Sequence, residues 1–184
     1  MNKKLQIGVI GSAGREEYLK GNGGSTDEML LKAKEVGSLL AKKGAIVVTG
    51  GKSGIMEAAA QGAKENNGLA IGVIKGSKRF TSNAYTDIEV LTGMAADGFD
   101  ELMLVLMCDA LIVIGGGAGT LEELTIAYRN NKPIVGLKNS GGWSDKVVGT
   151  FLDERETILV ETADLPEEAV EKAIELAKAK NELS

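Results

Sequence analysis

The sequence contains no histidine and only one cysteine, Cys108. Without histidine the chain cannot form a Ser-His-Asp or Cys-His catalytic site, and it has no imidazole for acid–base work or metal ligation. A single cysteine excludes an intramolecular disulfide and a zinc site built from several cysteines. Cys108 lies just before an apolar run, which predicts a thiol in the core. We therefore assign no metal site.

Proline is also scarce, with two residues among 184. No apolar run approaches the roughly 20 residues that cross a bilayer, and the N-terminal stretch MNKKLQIGVIG has too short an apolar run for a signal peptide. The net charge is -5 and the basic residues are scattered, which argues against non-specific nucleic-acid binding. These features predict a soluble cytoplasmic protein without a membrane or nucleic-acid partner.

Glycine, in contrast, is abundant, with 25 residues, and 43% of the chain is hydrophobic. Strand-like apolar runs alternate with segments of helical period. The predicted strands cover residues 5–10, 45–49, 69–74, 88–92, 109–116, 132–137 and 157–161. The predicted helices cover residues 54–68, 98–107 and 121–130, together with a first helix from a Ser25–Glu28 capping box to Gly44 and a last helix opened by Pro166.

This alternation of strands and helices predicts the fold class. Strands separated by single helices pair in parallel through right-handed crossovers. We therefore predict an α/β protein with an open, doubly wound, mainly parallel sheet, Rossmann-like, with helices on both faces. Residues 1–184 are expected to form a single nucleotide- or phosphate-binding domain. In such sheets ligands bind at the carboxyl ends of the strands, near the switch in strand order, and the glycine clusters lie at these ends.

The first two glycine clusters follow the first two predicted strands. GSAGRE (11–16) is not G-x-G-x-x-G, and the second strand ends in VVTGG without an acid for a ribose, so an NAD(P) dehydrogenase is disfavoured. GGKSG is too short for a Walker A loop, which needs a glycine where Ile46 stands. It suits one phosphate or carboxylate at a helix N-terminus, or it is only a close turn made by Gly50, Gly51 and Gly54.

The third cluster, GGGAGTLEEL (115–124), follows the apolar run LIVI. Its glycines let the backbone approach a ligand without obstruction by Cβ atoms. Thr120 and Glu123 have the spacing of a capping box, which is the purely structural interpretation. The functional interpretation is a helix start that binds a sugar phosphate, with the amides on the phosphate and the Glu123 carboxylate on the ribose or a developing positive charge.

TGGKSGIMEAAAQGA together with DALIVIGGGAGTLEEL resembles the Lonely Guy (LOG)/SLOG superfamily of phosphoribohydrolases and molybdenum-cofactor carrier proteins. The resemblance covers residues 5–137 and implies a Rossmann-like fold and a homodimer or higher homo-oligomer. The hydrolases release a free base, a cytokinin in plants and many bacteria, from a nucleoside 5′-monophosphate. Members were also labelled as lysine decarboxylases, but we can assign no pyridoxal lysine here and disfavour that activity.

The resemblance assigns roles to several positions, with three departures. Glu123 matches the hydrolase glutamate, and the phosphate-binding turn and the earlier motif match Gly50, Gly51, Gly54, Met56, Gly116, Gly117, Gly119 and Thr120. Gly115 replaces the hydrolase proline, and Thr49 and Glu57 replace glycines. Asp100 and Glu101 stand where the hydrolases carry an Arg-Lys pair, and a carboxylate cannot replace a guanidinium that binds anionic oxygen. The pattern looks more like the molybdenum-cofactor carrier branch.

Some charged and aromatic residues allow two interpretations. Lys75, Lys78 and Arg79, and likewise Arg15, either reach a phosphate or form solvated loops. Asp97, Asp100 and Glu101 either bind a hard cation such as magnesium or stabilise the first turn of a helix. Trp143 either stacks on a base or covers an apolar edge. The apolar run ELMLVLMC predicts a helix buried on several sides, in keeping with a dimer contact.

Two functions are compatible with these motifs. The first is the binding or carriage of a phosphorylated nucleotide or a pterin-type molybdenum cofactor, and the second is phosphoribohydrolysis of AMP or a cytokinin riboside monophosphate. The candidate ligand-binding residues are Gly11, Ser12, Gly14, Gly50, Gly51, Gly54, Met56, Lys78, Arg79, Gly116, Gly117, Gly119, Thr120 and Glu123. Glu123 is catalytic only in the second case.

Overall fold

The computed structural model describes residues 3–14 and 26–182, with the backbone alone for Thr26. The strands are β1 (Gln6–Gly11), β2 (Ile46–Thr49), β3 (Ala70–Ile74), β4 (Ile88–Leu91), β5 (Ala110–Ile114), β6 (Ile134–Leu137) and β7 (Val160–Ala163). The helices are α1 (Thr26–Lys42), α2 (Ile55–Glu65), α3 (Phe99–Met107), α4 (Ala118–Arg129), α5 (Gly142–Val147) and α6 (Pro166–Glu182). Arg15 and Ser25, and with Ser25 the predicted capping box, lie outside the described residues.

The strands form one parallel sheet in the order β4-β3-β2-β1-β5-β6-β7. From β1 the chain proceeds to one edge through β2, β3 and β4. It then returns to the centre, adds β5 on the other side of β1, and proceeds to the opposite edge. The predicted open, doubly wound, parallel sheet is thereby confirmed, and the switch in strand order lies between β1 and β5.

Side chains that alternate along the central strands build a core on each face of the sheet. Ile7 and Val9 of β1 pack into one core with α1, α2 and α6. Ile10 points to the opposite face, where α3, α4 and α5 pack. Cys108 is buried in this second core, as predicted. No helix in the described part of the chain is long and apolar enough to cross a membrane.

β7, α4 and α5 show the largest differences from the sequence prediction. β7 is Val160–Ala163 rather than 157–161, because its register sets Val160 opposite Ile134, and the preceding Leu159 forms only an isolated antiparallel bridge with Phe151. α4 begins at Ala118, three residues earlier than predicted. α5 was not predicted, since its six residues begin with a glycine and a tryptophan.

Candidate functional site

The glycine turns that follow β1, β2 and β5 meet at the carboxyl ends of the strands, beside the strand-order switch. Ser12 joins all three turns. Its carbonyl accepts a hydrogen bond from the Ile55 N–H of the second turn (3.2 Å), and its buried hydroxyl accepts one from the Gly116 N–H of the third (2.9 Å). Residues far apart in the sequence therefore enclose one crevice.

This crevice is a cavity of about 250 Å³. The predicted residues that line it are Gly11, Ser12, Gly50, Met56, Gly117, Gly119, Thr120 and Glu123. Six further residues line the cavity without having been predicted to bind the ligand, namely Ala13, Lys52, Asp100, Glu101, Leu104 and Ala118. The two helix starts singled out from the sequence therefore border the same space.

Four of the predicted glycines do not line the cavity and instead shape the turns around it, namely Gly14, Gly51, Gly54 and Gly116. A Cβ on Gly54 would lie 2.5 Å from the Gly14 backbone nitrogen, so these two glycines let the first and second turns touch. A Cβ on Gly116, which has φ 111, would meet the Thr120 side chain at 2.5 Å. Close packing explains these positions, and their contact with a ligand stays a prediction.

The N-terminus of α4 provides bare backbone N–H groups at the cavity. The helix is capped by Gly117, which offers no side-chain hydrogen bond, and Ala118, Gly119 and Thr120 form its first turn. Thr120 is therefore inside the helix, which excludes the alternative interpretation of Thr120 and Glu123 as a capping box. Because the first N–H groups of an α-helix have no partner in the helix, this turn suits an anion.

The N-terminus of α2 is less open. Gly54 is its N-cap, with φ 78, and the N–H of Ile55 already bonds to the Ser12 carbonyl. Glu57 adds an acid to the first turn. Of this region, Gly50, Lys52 and Met56 line the cavity. The turn after β2 thus contributes side chains and an open backbone, while the first turn of α4 is the more open of the two helix starts.

Three carboxyl groups also line the cavity, and burial favours the neutral form of two of them. Burial, with Glu101 as the next largest cause, raises the pKa of Glu123 to about 8. Burial and a hydrogen bond to Asp100 raise the pKa of Glu101. The buried Oδ1 atom of Asp100 has no hydrogen-bond donor among the described residues. At neutral pH the cavity is therefore less negative than its three acids suggest.

Lys52 is the only basic residue among the described residues that line the cavity. Its Nζ lies 3.5 Å from Oδ2 of Asp100, with the Lys52 side chain 55% exposed and that of Asp100 6% exposed. One signal in the sequence points to this lysine, namely GGKSG, since a Walker A loop also carries a lysine. The loop is too short for a Walker A site, and excluding that site left the lysine without a predicted role.

Two other basic candidates, Lys78 and Arg79, do not line the cavity. Lys78 and Arg79 are exposed, and the loop that carries them is built around Glu89, whose carboxylate accepts the N–H groups of Phe80, Thr81 and Ser82. These bonds lower the pKa of Glu89 to about 2. The prediction that Lys78 and Arg79 bind a phosphate remains untested. Their position outside the cavity lining does not favour it.

Lys75, Asp97 and Trp143 have structural partners. Lys75 forms an ion pair with Asp97. Trp143 packs against the core, its ring lies 4.6 Å from the ammonium of Lys146, and its backbone N–H donates to the Gly116 carbonyl. Across the described ranges, no three acidic or cysteine side chains converge on a point that could hold a metal ion.

The third turn is supported from behind by α5 and the loop before it. The buried Ser140 hydroxyl accepts the Gly115 N–H at 2.9 Å, and the Ser144 N–H donates to the Gly115 carbonyl at 2.9 Å. A Cβ on Gly142 would lie 2.4 Å from the Gly116 carbonyl, so α5 approaches the turn closely. These supports keep residues 115–117 in the conformation that exposes the α4 amides.

The chain resembles proteins of known structure over almost its whole length. The structural-genomics target TM1055 superposes with a TM-score of 0.82 at 30% identity, covering 93% of this chain and 99% of that one. A molybdenum cofactor binding protein from Rippkaea orientalis gives 0.75 at 28% identity, covering 99% of both chains. The molybdenum cofactor carrier protein of Chlamydomonas reinhardtii gives 0.71 at 28%, covering 96% and 99%.

The chain belongs to the SLOG cluster4 family, whose model matches residues 4–170. An uncharacterized protein of Archaeoglobus fulgidus is 37% identical over 137 residues, which cover 74% of this chain and 82% of the relative. The recognition made from the two glycine motifs, including its carrier-like branch, is confirmed by these similarities.

Proposed function

We propose that this protein binds a phosphorylated nucleotide or a pterin-type cofactor, such as the molybdenum cofactor, and retains it unaltered. The observation that carries the proposal is the first turn of α4, where the N–H groups of residues 118–120 border the cavity without a side-chain cap. An anionic group there meets the positive end of a 12-residue helix. The likeness to molybdenum cofactor binding and carrier proteins supports this class of ligand.

The residues present suit the phosphate of such a cofactor. The amides of α4 and the ammonium of Lys52 provide donors, and the glycines leave room for a ligand against the backbone. The molybdenum itself would be held by its pterin, because Cys108, the only cysteine, is 1% exposed and donates its S–H to the Leu104 carbonyl. We therefore assign the chain's residues to the phosphate end alone.

The state of Glu123 favours retention over hydrolysis. A glutamate that stabilises a positively charged ribose has to be ionised. With a pKa of about 8, Glu123 holds its proton in most molecules at neutral pH. The hydrolase arginine is replaced by Asp100, which adds negative charge where a guanidinium would bind anionic oxygen. Both features weaken transition-state stabilisation.

Phosphoribohydrolysis is the alternative, favoured by one observation. Glu123 lies in the same cavity as the phosphate-binding turn, as the resemblance to the hydrolases implies. In that case Glu123 would act once deprotonated, and base release would increase as the pH rises through about 8.

Two measurements on the full chain test the proposal. Native mass spectrometry of freshly purified protein is expected to find a co-purified phosphorylated small molecule, and a thermal-shift screen of nucleoside monophosphates and molybdopterin-type ligands is expected to raise the melting temperature. Incubation with AMP and prenylated AMP is expected to release no free base. Base release that Glu123→Gln abolishes would establish the hydrolase instead, and no bound ligand in either measurement would defeat the proposal.

A further inference from the structure

We infer that Lys52 binds the anionic group of the ligand, and that Asp100 holds this lysine in the ligand-free protein and competes with the ligand for it. The inference rests on the proposed function, since it identifies the side chain that meets the phosphate in the same cavity. Neither the family resemblance nor the glycine motifs assign a role to this lysine.

Charge is the first reason. Among the described residues that line the cavity, the ionisable groups are Lys52 and three acids, Asp100, Glu101 and Glu123. A phosphate that approached the α4 amides without a cation would meet only the helix end and carboxyl groups. Lys52 therefore supplies the one side-chain charge on this wall that attracts a phosphate.

The backbone of the turn after β2 is held by hydrogen bonds, which fix the position of the Lys52 Cα atom. Gly51 has φ 66, a left-handed conformation that favours glycine, and a Cβ there would press on Cδ1 of Ile74 at 2.4 Å. Asn83 donates its backbone N–H to the Gly51 carbonyl (2.8 Å) and its side-chain amide to the Lys52 carbonyl (3.0 Å). The lysine thus projects from a rigid base while its side chain stays 55% exposed.

The contact with Asp100 is loose. The Nζ–Oδ2 distance is 3.5 Å, against about 2.8 Å for a well-formed charge-assisted hydrogen bond. The Asp100 side chain is 6% exposed, and its other oxygen, Oδ1, accepts no hydrogen bond from the described residues. An exposed ammonium held by one long contact can turn to a second anion, but the turn leaves the buried Asp100 carboxylate without its cation, and this cost is the competition that we infer.

The positions of the two charges support the same inference. Asp100 stands where the resembling hydrolases carry the first residue of their Arg-Lys pair, and Lys52 lies on the turn after β2, within reach of it. The cavity therefore keeps a cation although α3 contains none. The positive charge at the cavity thus comes from Lys52 on the turn after β2, and its acidic partner Asp100 comes from α3.

The experiment measures dissociation constants of AMP, GMP and inorganic phosphate for wild type, Lys52→Ala and Lys75→Ala. Lys75→Ala is the matched control, because it removes a lysine from a lysine–aspartate pair outside the cavity and changes the net charge equally. Lys52→Ala is expected to bind the nucleotides about 10- to 100-fold more weakly. Lys75→Ala is expected to stay within about twofold of wild type.

Two further variants separate charge from shape. Lys52→Arg keeps the charge and is expected to recover part of the affinity, while Asp100→Asn removes the competing carboxylate and is expected to tighten nucleotide binding. Melting temperatures confirm that the variants fold. Equal affinities of Lys52→Ala and Lys75→Ala would overturn the inference and leave the proposed function standing. A wild type that binds no phosphorylated ligand would overturn both.

Discussion

At the scale of single residues, Glu123 couples the stability of the protein to pH. Its pKa in the folded chain is about 8, against 4.5 for an unperturbed glutamate. Between these values the folded state keeps a proton that the unfolded state has lost. The free energy of unfolding therefore decreases as the pH rises through this window, by up to about 1.4 kcal/mol per pH unit.

Glu123→Gln removes this titration and keeps the shape of a neutral glutamate. We expect the variant to gain stability relative to wild type as the pH rises from 5 to 8, with the difference levelling off above about 8. Denaturant unfolding at several pH values measures it. Glu122→Gln makes the same change on the exposed side of the same helix and is the matched control. A stability difference for Glu123→Gln that does not change with pH would contradict the prediction.

Residue types indicated part of the site, and the fold supplied the rest. Glu123, Thr120 and the glycines could be found because glycine and acid after a buried strand are typical of ligand-binding turns. No role could be assigned to Lys52 from the sequence. Its pairing with Asp100, 48 positions away in the sequence, exists only in the folded chain. The spacing of Thr120 and Glu123 alone could not decide between a capping box and a binding turn, because both have the same spacing.

At the scale of elements, the first turn of α4 is the surface that meets the ligand in our proposal, and Gly119 keeps it clear. A Cβ at Gly119 would lie 3.7 Å from Oε1 of Glu101, an ordinary contact, so Gly119→Ala is expected to fold with unchanged or slightly higher stability. The added methyl group lines the cavity, so we expect weaker nucleotide binding at an undiminished melting temperature. Titration with AMP and thermal melting measure both effects.

Gly37 in α1 provides the contrast. A Cβ there would lie 1.9 Å from the Ala59 carbonyl of α2, because the two helices cross with their backbones in close contact. Gly37→Ala should lower stability by about 1–3 kcal/mol through overpacking, despite the better helix propensity of alanine. Stability lost by Gly119→Ala to the same extent would mean that its binding defect reflects unfolding.

The strands and the longer helices were predicted from the sequence, and the short helix α5 was not. β5 is a continuous apolar run and β1 is apolar from Ile7 to Ile10, so their buried positions were clear from the sequence. α5 has six residues and depends on the Ser144 hydroxyl, which bonds to the Val113 and Leu137 carbonyls of β5 and β6. Such tertiary contacts, and not local propensity, determine where the short element forms.

At the scale of the whole molecule, we expect a homodimer or a higher homo-oligomer. α3 presents Phe99, Leu102 and Leu106 at spacings of three and four residues, and they are 43%, 39% and 48% exposed. An apolar stripe of this kind is typical of a contact between subunits. Leu106→Asp should shift the molar mass in size-exclusion chromatography with light scattering towards the monomer.

Leu31→Asp is the matched control for this prediction. Leu31 lies on α1, on the other face of the sheet, and is 66% exposed. The same change of charge there should leave the molar mass of the assembly unaltered. A wild type that elutes as a monomer at micromolar concentration would contradict the expectation directly.

The parallel, doubly wound sheet could be predicted from the regular alternation of strands and helices, because few topologies satisfy it. The alternation also located the crevice at the strand ends. It could not determine that Ser12 would link three turns, or that α3 would bring Asp100 and Glu101 to the cavity, since both depend on how the two halves of the sheet pack together.

The strand-order switch divides the cavity wall between two lengths of chain. Gly11, Ser12, Gly50 and Lys52 come from the part before the exposed residues 93–97, and Asp100, Thr120 and Glu123 come from the part after them. Anything bound between them is a non-covalent cross-link across the middle of the sheet. With a ligand bound, the two parts of the chain should separate at a higher pulling force, and they should stay associated for longer after a protease cuts the chain within residues 93–97.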